Sequence, residues 1–392
     1  MRTIYYITRT MAPHQSGGGP QMRSATVTEL RRLGWRVVVV MPNYRGAKIE
    51  ESNSLIKVPV LSLLKVNQTL ERLGIIEDYL SFWAFNVINY LKQIVNKNDI
   101  IFCTSGGELA TLKIGSQLKQ ICGTNYVANF RDPVHHTTVH GIKQTDKFYV
   151  ARDHILRRYL ENADLVLTSS LSYAEHITHD CSLSTNIVIP NLFGFHSNAT
   201  PKRLSNFNKD QIVVGYMGTM TPTQSPENLI EAYIGLPKTQ RNKIKLMFIG
   251  AHQQYKPFDD YRGYDGIEFI DFMPIDELNE LVERQIDVGY VSLSHPYYGV
   301  CIPSKIYEYI NSGLPILGAL PNGDALNIVN ENNFGLAGQF NDREKLRENL
   351  VKFTNDDFYR SVHTDILLNR NQWSLKVRID ELDEVLKNAF KK

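Results

Sequence analysis

The sequence predicts an α/β protein of two doubly wound, Rossmann-like domains facing a central cleft. Short apolar runs alternate with amphipathic stretches of helical period, the rhythm of strands joined by crossover helices. That rhythm stops at a polar segment, Ser197 to Asp210, and restarts at Ile212. The length, 392 residues, also exceeds what one hydrophobic core usually serves.

The first domain is expected over residues 1–193. Ile4 to Ile7 reads as a buried strand, followed by a loop with Gly17, Gly18 and Gly19 and a helix from about Met22 to Leu33. Gly34 stops that helix, and Trp35 to Met41 is a second strand. Three glycines let a backbone approach a ligand closely, and the helix that follows favours an anion at its N-terminus. They do not form the Gly-x-Gly-x-x-Gly fingerprint, so a nicotinamide-binding reading is weak.

Leu70 to Val95 reads as one long helix rich in packed aromatics, and Asp99 to Cys103 as a strand leading into a loop, Thr104 to Glu108. Tyr126 to Phe130 is the next strand. At its end stand Arg131, Asp132, His135, His136 and His140, where an α/β sheet places its ligands. Adjacent histidines diverge and lack metal-ligand spacing, so hydrogen bonding to a polar substrate is the simpler role and no metal is expected. Arg152, Arg157 and Arg158 on the next helix read as a solvated face, with an anionic acceptor or lipid headgroups as the alternative. Strands at Ala163 to Ser170 and Ile187 to Asn191 close the domain.

The second domain is expected over residues 194–370. Ile212 to Met217 is its first strand, Gly218-Thr219 a tight exit and Pro226-Glu227 a helix start. Lys245 to Ile249, Ile267 to Ile270 and Val288 to Leu293 are further strands, with a helix from Ile275 to Val282. Pro303 to Leu317 reads as loop, helix and strand, with Gly313 as the stop. Lys305 falls in the first helical turn and Glu308 one turn on, so they could hold a phosphate and a hydroxyl pair or form an ordinary surface ion pair. Residues 371–392 read as amphipathic helix around Gln372-Trp373-Ser374 and Ile379 to Leu386.

Composition excludes several classes. With 43% hydrophobic and 21% charged residues the chain is ordinarily globular, and a net charge of +2 gives no basic face for nucleic acid. The start, Met1 to Ile7, turns polar too quickly for a signal peptide, and no apolar run approaches the ~18 residues of a membrane span, so a cytoplasmic location is expected. Cys103, Cys122, Cys181 and Cys301 lack paired spacing and read as buried free thiols.

Several of these stretches together resemble the GT-B glycosyltransferases, in particular the large retaining family 4. They are the Gly17-Gly18-Gly19 loop, Asn129-Phe130-Arg131-Asp132-Pro133, Ala163 to Thr168, Gly215-Tyr216-Met217-Gly218-Thr219, Ile286 to Tyr290, and Ser304-Lys305-Ile306-Tyr307-Glu308-Tyr309 with Gly313 to Ile316. The resemblance implies that the second domain binds a nucleotide sugar, UDP- or GDP-linked, as substrate with no cofactor. It implies that the first binds a glycan or lipid-linked acceptor, and that the last helix crosses back onto it.

By the same resemblance, Glu308 holds the ribose, and Gly299, Val300, Cys301, Ile302, Ser304 and Lys305 the diphosphate. Phe272 and Pro274 flank the base, Gly218 and Thr219 line the donor, and Gly17, Gly18, Gly19 and Asp132 lie on the acceptor side. Lys305, Arg131, His135 and His136 are the catalytic candidates, the last two for contact with the donor sugar. The chain departs from the family at Val300, where a sugar-binding Glu is common, and between Gly218 and Ser225, where basic residues are common.

The implied activity is sugar transfer with retention, in building surface polysaccharide or glycoconjugate, with peripheral contact at the inner face of the plasma membrane. A nucleotide-sugar epimerase of similar fold and a catalytically silent carbohydrate-binding homologue are the alternatives.

Overall fold

The computed structural model of the protein describes residues 2–15, 18–44, 46–60, 63–134, 146–185, 187–195, 200–202, 204 and 210–390. The chain divides into two compact units, Met1–Leu192 with Arg378–Lys392, and Phe193–Val377. No described helix is long and apolar enough to cross a membrane.

In the first unit the elements run β1 (Thr3–Ile7), α1 (Gly18–Arg32), β2 (Arg36–Asn43), β3 (Glu50–Ser52), β4 (Leu55–Pro59), α2 (Leu64–Arg72), α3 (Ser81–Leu91) and β5 (Ile100–Gly106). They continue with α4 (Ala110–Cys122), β6 (Asn125–Asp132), α5 (Asp146–Leu160), β7 (Leu165–Thr168), α6 (Leu171–Asp180) and β8 (Val188–Pro190). The strands form one sheet in the order β3-β4-β2-β1-β5-β6-β7-β8, parallel except at the β3/β4 edge. β1 and β5 are buried along their whole length, as strands covered on both faces must be. The strand order reverses direction between β1 and β5, so their carboxyl ends flank the switch point of this sheet.

The structure corrects the sequence reading in several places. The helix expected from Leu70 to Val95 is two helices. Gly74 adopts φ +69°, and the buried Asp78 turns the chain by accepting from Leu80 N at 2.8 Å and Leu109 N at 2.7 Å. A side chain that takes backbone donors this way competes with the helix, and apolar periodicity does not reveal it.

Gly18 and Gly19 are not a loop but the first turn of α1. β5 extends through Gly106, so the expected loop from Thr104 is strand for its first half. Arg152 is not on a solvated face: it is 6% exposed, pairs with Glu71 at 2.6 Å and donates to the Gly107 carbonyl at 2.7 Å. Cys103 and Cys301 are buried, whereas Cys122 and Cys181 are half-buried.

The second unit contains β9 (Ile212–Met217), α7 (Glu227–Ile234), α8 (Lys238–Arg241), β10 (Ile244–Ile249), β11 (Ile267–Ile270), α9 (Ile275–Gln285) and β12 (Val288–Ser292). There follow α10 (Ser304–Asn311), β13 (Ile316–Leu320), α11 (Asp324–Glu331), β14 (Gly335–Gln339), α12 (Arg343–Lys352) and α13 (Asp356–Asn369). Its sheet is wholly parallel in the order β11-β10-β9-β12-β13-β14. Counted from β9 that is the 3-2-1-4-5-6 order of nucleotide-binding folds, with the switch point between β9 and β12. Phe248, Phe258 and Phe269 pack ring to ring at 4.9 to 5.5 Å on one side of this sheet.

Part of the expected polar linker is a core anchor. Lys202 is 1% exposed, with its ammonium 2.8 Å from Asp287 Oδ1. Asp287 Oδ2 accepts from Val213 N at 2.8 Å, and His363 Nε2 meets the Lys202 carbonyl at 2.8 Å. Around Gln372 the chain forms a 3₁₀ turn, Arg370–Trp373, which buries Trp373. The last helix, α14 (Leu375–Ala389), belongs from Arg378 onward to the first unit. There Asp383 accepts from the Trp35 indole at 2.8 Å and Asp380 from Arg32 at 2.9 Å.

Candidate functional site

In the second unit, Lys305 reaches the carboxyl end of β9. It sits in the first turn of α10, and its ammonium lies 4.9 Å from the centre of the Tyr216 ring. The ideal Cβ position of Gly218 lies 3.4 Å from Lys305 Nζ, so the amine sits against the strand end. Gly218 adopts φ +117°, a conformation that L residues rarely take. Burial lowers the Lys305 pKa, and Glu308 pulls it partly back up.

Of the two readings of Lys305 and Glu308, the surface ion pair does not form. No described carboxylate comes within 4.0 Å of Lys305, and the exposed Glu308 carboxylate makes no ion pair either. No side chain caps the first turn of α10, whose N-cap is Pro303, so the N-H groups of Ser304 and Lys305 face outward from the helix start beside the ammonium. A cation, free helix donors and a free carboxylate one turn away are the parts needed to hold an anion and a neighbouring hydroxyl pair.

Two loops frame this point. Ser292 Oγ donates to the Gln224 carbonyl, and Ser294 N to the Thr223 carbonyl at 2.9 Å, so the exits of β9 and β12 are laced together at the switch point. Beyond β12, the backbone at Gly299 lies directly on that at Asn322 and Gly323. A Cβ on Gly323, at φ +146°, would be 1.9 Å from the Gly299 carbonyl oxygen. That contact fixes the start of the segment Gly299 to Ile302, in which Val300 is half-buried and Cys301 and Ile302 are buried.

Thr219 lies exposed just past β9 with its carbonyl accepting from Tyr216 Oη at 2.7 Å, and Ser304 is exposed. Phe272 is 82% exposed and Pro274 is the N-cap of α9. His252, buried at the exit of β10 and 3.0 Å from Asp271, is a neighbour that the sequence did not suggest. A surface pocket of about 570 Å³ involves Leu236, Gln240 and Arg347, at the opposite end of α7 from this site.

The first unit gathers charge at its own switch point. A Cβ on Gly106 would lie 3.2 Å from Arg23 Nη2, 3.3 Å from Asp132 Oδ2 and 3.5 Å from Arg9 Nη2. Arg9 Nε pairs with Glu108 at 3.3 Å and Arg9 Nη1 donates to Tyr79 Oη at 3.1 Å. Glu108 has a fully buried side chain, accepts from Gly106 N at 2.9 Å, and raises the pKa of Arg9. Burial pushes the nearby Tyr44 hydroxyl up to about 12, and it stays a donor to the Arg9 carbonyl at 3.0 Å.

Arg131 is buried at the end of β6 and Asp132 half-exposed beside it. Gly18 and Gly19 open α1, and Gly17, His135 and His136 lie outside the described residues. Arg9, Arg23 and Glu108 were missed because the pattern that unites them is not local. A bulge at Ser105/Gly106 and two strand exits bring them together across about a hundred residues of sequence.

Comparison with known proteins finds a family and several relatives of the same fold. Residues 199–365 match the family described as Glycosyl transferases group 1. The O-antigen chain mannosyltransferase B of Escherichia coli is 23% identical, over 81% of this chain and 93% of the relative. Among solved structures, WaaG, a glycosyltransferase involved in lipopolysaccharide biosynthesis, aligns with TM-score 0.66 at 14% identity, covering 97% of this chain and 99% of that one. The lipopolysaccharide outer core galactosyltransferase WaaB gives 0.68 at 12% identity, covering 98% and 99%. At such identities the structures speak for a common fold.

Proposed function

We propose that the chain is a glycosyltransferase of the GT-B fold, a reading supported by the match of residues 199–365 to the group 1 family and by the fold it shares with solved glycosyltransferases. It moves a hexose or N-acetylhexosamine from a UDP- or GDP-sugar, with retention, to a hydroxyl of a glycan or lipid-linked acceptor in surface polysaccharide or glycoconjugate synthesis. The observation that carries this reading is Lys305, an ammonium at the end of β9 with no described carboxylate partner and an uncapped helix start beside it.

Breaking the bond to a nucleoside diphosphate puts negative charge on the leaving oxygens. Lys305 and the first-turn N-H groups of α10 stabilise that charge without having to reorganise. Glu308 accepts from the ribose hydroxyls, and the backbone from Gly299 to Ile302 with Ser304 lies along the diphosphate. Gly218 and Thr219 give the donor close access to the strand end, while Phe272 and Pro274 flank the base. The acceptor hydroxyl attacks from the face that the phosphate leaves, and the departing phosphate takes its proton, so no protein nucleophile, metal or cofactor is invoked.

In the first unit, Asp132 with the glycines at the start of α1 lies toward the acceptor. Peripheral contact with the inner face of the plasma membrane is supported by Leu63, Leu73 and Ile75, each more than 60% exposed, with Lys65 and Arg72 exposed beside them. Sedimentation with anionic vesicles checks that contact: a protein left wholly in the supernatant contradicts it.

Purified protein incubated with a panel of UDP- and GDP-sugars and a glycan acceptor is expected to give a product whose anomeric carbon keeps the donor configuration by NMR. Inverted product removes the retaining step. Interconversion of free nucleotide sugars with no acceptor present would favour an epimerase instead.

A further inference from the structure

Arg23 is a buried cation that makes no ion pair among the described residues. It is 4% exposed, its Nη1 donates to Thr10 Oγ1, its Nε has no hydrogen-bond partner, and no described carboxylate lies within 4.0 Å. A guanidinium withdrawn from water without a counter-charge is costly, whereas one that meets an oxyanion is well used. Arg9 faces the same way. Glu108 holds its Nε at 3.3 Å, and that grip leaves Nη2 directed toward Gly106.

The two Nη2 groups converge where Gly106 has no side chain, at 3.2 and 3.5 Å from the position a Cβ would take. Asp132 Oδ2 reaches the same point at 3.3 Å and ion-pairs with neither arginine. The spot therefore offers two charged forks and one acceptor, at the carboxyl ends of strands that flank a switch point.

We propose that the switch point of the first unit is an oxyanion site. Arg9 and Arg23 hold a phosphate or carboxylate carried by the acceptor, and Asp132 accepts from a hydroxyl next to that group. The acceptor is thus an acidic or phosphorylated sugar, or a lipid phosphate, and not a neutral glycan. The identity of the ligand rests on the acceptor role proposed above for the first unit; the oxyanion site rests on Arg9, Arg23 and Gly106 alone.

The test is a phosphorus NMR titration of the full chain with inorganic phosphate at constant ionic strength, in a Lys305→Ala background that silences the second unit. Arg23→Gln is expected to weaken phosphate binding by at least about tenfold, and Arg23→Lys by less, since it keeps the charge and loses the fork. Gly106→Ala places a methyl group 3.2 and 3.5 Å from the two Nη2 groups, where it blocks an anion's approach to them, at a position outside the left-handed region, and is expected to lose binding with the fold intact by circular dichroism. Titration with a sugar phosphate and with a short prenyl phosphate then separates the two sources, the tighter binder naming the class.

Equal phosphate affinity in the parent, Arg23→Gln and Gly106→Ala proteins overturns the proposal, as does binding no stronger than that of chloride. With Lys305 intact, UDP and GDP are expected to protect Arg23→Gln against unfolding as well as they protect the wild type. Loss of nucleotide protection in both proteins counts against the donor reading and leaves the phosphate result standing.

Discussion

Lys305 and Glu308 show how one helical turn can serve two ends. Their spacing suits an ion pair, yet the lysine turns toward the Tyr216 ring and the end of β9 while the glutamate stays exposed. Burial that lowers the lysine pKa favours giving up the charge unless an anion arrives, so the folded protein gains by binding one. Lys305→Ala is therefore expected to lower kcat/KM for sugar transfer by about a hundredfold or more, with little loss of thermal stability. An equal loss of stability and activity would mark the lysine as a packing residue instead. The spacing of this pair was readable in the sequence, and so was the need for a glycine at 218. Arg9 and Arg23 were not, because a charge that is partnered or exposed looks the same in sequence as one buried beside a bulge.

At the scale of elements, the strands and the helix after β12 were readable from apolar runs bounded by Gly and Pro, since parallel strands are buried on both faces. What escaped was set by single polar side chains acting at long range. Asp78 breaks the expected long helix, Arg152 ties α5 to α2, and Lys202 turns a polar linker into an anchor.

Glu77, in the break between α2 and α3, makes the same point and is testable by pH. Burial pushes its carboxyl up, but hydrogen bonds from Tyr159, Lys113 and Arg158 outweigh that and hold it at about 2, below the ordinary 4.5. A carboxylate depressed in the folded state stabilises the protein above the unfolded value and loses that contribution as pH falls from about 4.5 toward 2. Wild type is expected to exceed Glu77→Gln in urea-unfolding stability at pH 7, with the gap closing over that acid window. A gap that stays constant with pH would show that the carboxylate charge contributes nothing.

At the scale of the whole molecule, both sheets carry their first strand in the middle and reverse beside it, and each gathers cations at that point. In the proposed reading, the second unit offers Lys305 and a bare helix start to a diphosphate. The first offers Arg9 and Arg23 to an oxyanion on a different molecule. The two-unit α/β plan was evident in the sequence because the strand and helix rhythm repeats after a polar gap. The partners of each site were not, because contacts in the folded chain choose them.

The most direct measurement is the affinity of the full chain for UDP and GDP by calorimetry, with Lys305→Ala measured beside the wild type. Binding of at least one nucleotide by wild type, weakened by about tenfold or more in Lys305→Ala, is the predicted result, because removing a charged partner of an oxyanion costs at least that much. Binding of neither nucleotide, or equal binding by both proteins, would contradict a donor site built on Lys305.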